Sequence, residues 1–141
     1  MSANAGLYVA VGLGSGLGAA SRYLCSLGLV TAFGGGFPWG TLIVNVLGSF
    51  IIGFYATLTE PGGRLFPSLA TRQFVLAGFC GGFTTFSIFS LETLLLAQRQ
   101  SMVLAGVNIA ISPTLWLIGV WMGHALAQRA NRLRGQTNEG L

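Results

Sequence analysis

Apolar and polar positions along this chain fall into long blocks rather than a short alternation. Residues 1–21, 23–59, 73–91 and 100–128 carry no charge, and they hold dense apolar clusters such as FIIGFY (50–55) and LLLA (94–97). A membrane-spanning helix needs about 20 mostly apolar residues. The blocks accommodate four such spans, at roughly 5–30, 39–59, 73–98 and 102–128. The two-residue period of a membrane barrel strand is absent. In lipid, backbone groups must pair within their own segment, so the runs predict helices. The segments between them read as turns: FGGGFP (33–38), EPGGRLFPS (60–68) and the polar step from Gln98 to Ser101. Trp39 and Tyr55 sit near the two ends of the second span, as an aromatic belt requires, whereas Trp116 falls in mid-span.

Composition sharpens the picture. The 141 residues include seven Arg, three Glu, no Lys and no Asp, so 7% are charged against about 25% in a soluble domain. That excludes a water-solvated surface, and the high hydrophobicity excludes disorder. The Arg residues form no stripe with aromatics, so the net charge of +4 is not a nucleic-acid signal. The expectation is an all-α membrane protein with one transmembrane domain over 1–141, of which 129–141 is a polar basic tail. The N-terminus lacks the cationic start of a cleavable signal. With an even number of spans, one side would hold Arg64, Arg72, Arg129, Arg132 and Arg134 and the other only Arg99, which favours cytoplasmic termini.

The inventory of chemistry is short. Without Lys there is no P-loop, and without Asp no Ser/His/Asp triad. His124 has no companion for a metal site and is expected at the membrane interface. Cys25 and Cys80 lie within spans and read as core packing. The run GLGSGLGAA (12–20) does not match a dinucleotide loop. Its spacings, Gly12 to Gly16 and Gly14 to Gly18, instead suit close helix contact. An enzyme is not expected.

Polar residues inside the spans carry the functional signal, because they are costly there. Arg22 interrupts the first run. Thr41 and Asn45 share a face of the second, and Asn108 and Ser112 share a face of the fourth. The third holds GGFTTFSIFSLE (81–92), where two Gly followed by Thr84 and Thr85 predict a helix broken near mid-membrane. Freed carbonyls there suit a hard cation, and freed N–H groups suit an anion. Phe86 and Phe89 share a face just past the break, and Glu92 ends the polar stretch. A Phe pair at this spacing also serves as plain core filler, and Asn45 also serves as an interhelical bond. Hydroxyls, amides and positive ring edges together make a donor-rich lining, which fits a small anion better than a cation.

The stretches GLGSGLGAASRY (12–23), WGTLIVNVLGSFIIG (39–53) and GFCGGFTTFSIFSLE (78–92) resemble the Fluc fluoride channels, also called the CrcB family. The resemblance implies an antiparallel homodimer of four-helix subunits, with dual topology in the cell's inner membrane. Two pores would export cytoplasmic fluoride passively and confer fluoride resistance. It implies a pore amide at Asn45 and ring edges at Phe86 and Phe89. Thr41, Thr85, Ser87 and Ser112 would supply pathway hydroxyls, with Glu92 and Arg22 near the route and Asn108 standing where some relatives carry Tyr. It further implies a structural Na⁺ on the dimer axis, held by the backbone carbonyls of Gly81 and Thr84. The Arg distribution, five against one, would by itself favour a single orientation. A rival class is the small four-span proton-coupled multidrug exporter. It uses an acidic residue in the first span, and this chain has none there.

Overall fold

The computed structural model describes residues 3–99 and 101–138, with side chains placed over 4–99 and 101–133. The Arg134 side chain and Glu139, both assigned above to the polar tail, lie outside that set. The described residues are helical, with no strand among them. The elements are α1 (Ala3–Phe33), α2 (Trp39–Leu58), α3 (Leu69–Gln73), a π-helical stretch (Phe74–Cys80), α4 (Gly81–Phe83), α5 (Phe86–Gln98) and α6 (Met102–Asn138). Among the described residues, three stretches are long and apolar enough to cross a membrane: Trp39–Leu58, Leu69–Gln98 and Met102–Leu133. Helix α1 has the length, 31 residues, but its Gly, Ala and Ser content and Arg22 dilute its hydropathy.

The turns follow from local chemistry. Gly34 has φ +76° and ends α1, a conformation that a residue with a Cβ adopts at a cost. Phe37 and Trp39 then pack at 4.9 Å. In the loop after α2, the Gly63 N–H donates to the Glu60 carbonyl (2.8 Å) and the Leu65 N–H to the Leu58 carbonyl (2.9 Å). The Ser68 hydroxyl caps α3 by accepting the Thr71 N–H at 3.2 Å. Helix α6 runs ten residues past the expected end of its span at 128, to Asn138. Asn131 ties α6 to the end of α2 and to this loop. Its Nδ2 donates to the Thr57 carbonyl (3.1 Å), and its Oδ1 accepts the Arg64 N–H (2.9 Å).

Small residues set the packing. Helix α1 lies on the π-helical stretch and α4, and α2 lies on α6. A Cβ at Gly14 or Gly18 would strike the backbone at Phe74 and Phe79, and one at Gly82 would strike Ser15. At Gly53 and Gly123 it would strike the Val120 and Phe50 carbonyls, across the α2–α6 contact. Of the two glycine spacings in the first run, only Gly14/Gly18 is used within the subunit; Gly12 and Gly16 face open space. Cys80 is buried, but Cys25 is exposed. The expected core role of Cys25 is therefore corrected: it lies on the outer side of α1. His124, expected at the interface, hydrogen-bonds through Nδ1 to the Thr57 hydroxyl at 2.7 Å.

Candidate functional site

The site grows from two extended residues. Thr84 (φ −88°, ψ 161°) and Thr85 (φ −155°, ψ 126°) separate α4 from α5. The irregularity falls just past Gly81 and Gly82, which are themselves helical. Thr84 still donates back to the Cys80 carbonyl through its N–H (3.0 Å) and its hydroxyl (2.9 Å). Thr85 cannot follow. A helical ladder would send its N–H to Gly81, but that N–H donates to Asn45 Oδ1 at 2.7 Å. Asn45 Nδ2 in turn donates to the Thr85 carbonyl at 2.8 Å. One buried amide thus satisfies both backbone groups of an extended residue inside an apolar protein, where leaving them unpaired is costly.

The next ladder bond is diverted too. The Ile88 N–H, whose helical partner would be the Thr84 carbonyl, donates to Thr85 Oγ1 at 3.2 Å and so caps α5. The carbonyls of Gly81 and Thr84 have therefore both lost their ladder donors. Oxygen donors of this kind suit a hard cation. The described residues hold no cluster of three His, Cys, Asp or Glu side chains.

A second polar assembly joins α5 to α6. Ser112 Oγ donates to Asn108 Oδ1 (2.8 Å), Asn108 Nδ2 donates to Thr93 Oγ1 (2.8 Å), and Thr93 Oγ1 donates to the Phe89 carbonyl (2.7 Å). Asn108 and Ser112 are each 1% exposed, so their end of the chain of bonds is buried in the subunit, while Thr93 is half-buried. It anchors the turn of α5 that carries Phe89.

The phenylalanines stand between these assemblies. Phe86 and Phe89 are 5.5 Å apart and tilted by 46°. Phe89 is buried at 7% exposure while Phe86 is 70% exposed, so the pair runs from the interior to the surface of one subunit. Phe89 also meets Trp116 at 5.0 Å and 77°. A cavity of about 390 Å³ opens beside them, lined by Asn45, Cys80, Gly81, Thr84, Phe86 and Trp116 among others.

The remaining sequence-derived residues are more scattered. Thr41 is buried one turn before Asn45, and its side chain lies against the Glu92 carboxyl group. Glu92 Oε2 is buried without a hydrogen-bond partner among the described residues, and so is Arg22 Nε. The backbones of α1, which carries Arg22, and α5, which carries Glu92 and the Phe pair, do not approach each other. Ser87 is exposed, with its hydroxyl 3.2 Å from that of Thr85.

A family model described as CrcB-like protein, Camphor Resistance (CrcB), matches residues 9–124. The chain is 50% identical over 131 residues to fluoride-specific ion channel FluC 1 of Rhodopseudomonas palustris (strain BisB18), covering 93% of each chain. It is 52% identical over 128 residues to FluC 1 of Bradyrhizobium diazoefficiens, covering 91% of this chain and 89% of that one. It is 49% identical over 129 residues to the fluoride-specific ion channel FluC of Opitutus terrae, covering 92% and 98%. The chain belongs to the CrcB family.

In this CrcB-family chain, Asn45, Thr84, Thr85, Phe86 and Gly81 come together around one cavity. Phe89, Asn108 and Ser112 are joined through the hydrogen-bond chain behind it. Sequence reading missed two members. Thr93 bridges Asn108 to α5, and its position four residues after Phe89 was the available signal. Trp116 falls in mid-span, where an aromatic belt does not place it, and that misfit is the available clue.

Proposed function

We propose that this chain is a fluoride-selective ion channel. The observation that carries the reading is the Phe86–Phe89 pair, tilted at 5.5 Å beside the Asn45–Thr85 junction, in a chain half identical to proteins named fluoride-specific ion channels. Fluoride is small and holds its water strongly, so a path must replace that water with neutral donors. Aromatic ring edges carry positive charge, and Asn amides donate. Neither holds a full charge that would trap the ion. Transport is passive. HF crosses from an acidic exterior, ionises in the cytoplasm, and the anion leaves through the channel down its gradient.

The working unit in this reading is an antiparallel homodimer of four-span subunits in the inner membrane, with dual topology and two pores. Two features support it. Phe86 lies 70% exposed on the isolated subunit, and α1 has the length of a span although its hydropathy is lower. Asn45, Phe86 and Phe89 contact the ion, and Thr41, Thr85, Ser87, Ser112 and Asn108 line or brace the route. Arg22 and Glu92 stand at its ends. A Na⁺ at the centre would be held by the Gly81 and Thr84 carbonyls of both subunits. Their loss of ladder donors to Asn45 and Thr85 supports this assignment. Such an ion fixes the two broken segments together and takes no part in conduction.

The test is efflux from fluoride-loaded proteoliposomes without a proton gradient. Rapid fluoride release is expected; release that requires an imposed proton gradient would mean coupled exchange instead. Crosslinking between termini tests the assembly, because an antiparallel pair keeps like termini on opposite sides.

A further inference from the structure

Four hydroxyls on the segments that border the cavity already have acceptors. The Thr84 hydroxyl goes to the Cys80 carbonyl, Thr93 to Phe89, Ser90 to Phe86, and Ser112 to Asn108. A hydroxyl has one proton to give, so these four cannot also serve a passing anion without breaking a bond.

Trp116 differs. It lies one helical turn past Ser112 on the same face of α6, lines the cavity with Asn45, Thr85 and Phe86, and meets Phe89 at 5.0 Å. Its Nε1 is closed off from solvent and has no acceptor among the described residues. Buried N–H groups are almost always paired, and an exception calls for a partner such as an ion. Indole N–H is a donor only, so it cannot serve a cation. It is neutral and rigid, and hydrogen bonds to an anion are stronger than those to a neutral acceptor.

Resting on the fluoride-channel reading, we propose that Trp116 is an ion-contacting donor of the pore, whose indole N–H takes up fluoride as it passes the Phe86–Phe89 pair. The donor therefore rewards the halide that accepts hydrogen bonds most strongly, which is fluoride.

The experiment uses the full-length dimer carrying Trp39→Phe and Trp121→Phe, so that Trp116 is its one tryptophan. Titration with sodium fluoride should shift its emission saturably, and sodium chloride should not. In proteoliposomes, Trp116→Phe should lower fluoride efflux at least tenfold. Replacement of Trp116 by 3-benzothienylalanine, which keeps the bicyclic shape and lacks the N–H, should lower it equally. Wild-type efflux with the benzothienyl side chain, or an emission unmoved by fluoride, would overturn the proposal. Failure of the unmodified protein to pass fluoride would instead remove the channel reading on which it rests.

Discussion

Asn45 and Thr85 hold each other through both ends of one amide, with Nδ2 donating at 2.8 Å and Oδ1 accepting at 2.7 Å. The pair does two jobs at once. It pays the backbone cost of the extended step between α4 and α5, and it takes from Gly81 the donor that a continuous helix would supply. The break and the candidate ion site are thus one feature.

Asn45→Ala leaves the Thr85 N–H without its acceptor and takes one donor from the Thr85 carbonyl. An orphaned N–H away from water costs about 1–3 kcal/mol. A clear fall in the thermal midpoint of the purified protein is expected, together with loss of fluoride flux. An unchanged midpoint would mean that Asn45 does not brace the junction.

Phe86→Ile keeps apolar bulk and removes the ring edge. Phe86 is largely exposed on one subunit, so folding should survive while fluoride efflux drops by at least tenfold. Size-exclusion chromatography checks the assembly, and flux checks the role. Full flux from this variant would count against a ring-edge contact.

Thr93→Val preserves shape but strips Asn108 Nδ2 of its acceptor, while the Phe89 carbonyl keeps only its helical donor, the N–H of residue 93. A destabilisation of about 1–3 kcal/mol is expected, with slower efflux because the turn bearing Phe89 is loosened. Chemical-denaturant midpoints and flux measured side by side test this; no change in either would show the bond chain to be idle.

How much of this was legible beforehand depended on period. Apolar blocks longer than a membrane is thick announced helices, and Gly81–Thr85 announced irregular backbone. What could not be read was which donor goes where. Ser112 and Thr93 look like free hydroxyls in a string of letters, yet their protons are taken by partners 4 residues away along their own helices. Cys25 looked like core because its run is apolar, and apolarity in a membrane protein does not separate inside from outside. The close glycine contact could be spaced but not phased, since Gly12/Gly16 and Gly14/Gly18 repeat identically.

That phase is testable. Gly14→Val forces a side chain into the backbone at Phe74 and Phe79, whereas Gly12→Val meets open space within the subunit. Expression and thermal midpoint should collapse for the first and hold for the second. Equal tolerance of both would show that α1 does not pack as described.

If the Gly81 and Thr84 carbonyls hold Na⁺ between subunits, replacing Na⁺ with N-methylglucamine should shift the purified dimer toward monomer at low protein concentration. A dimer fraction indifferent to Na⁺ across that dilution would remove the central cation from the account.

The central claim is selectivity built from neutral donors around Asn45, Phe86 and Phe89. Its most direct test is the efflux of fluoride and of chloride from identical proteoliposomes, recorded with ion-selective electrodes. Fast fluoride efflux with chloride efflux at the level of protein-free vesicles is the predicted result; equal efflux of the two ions would contradict it.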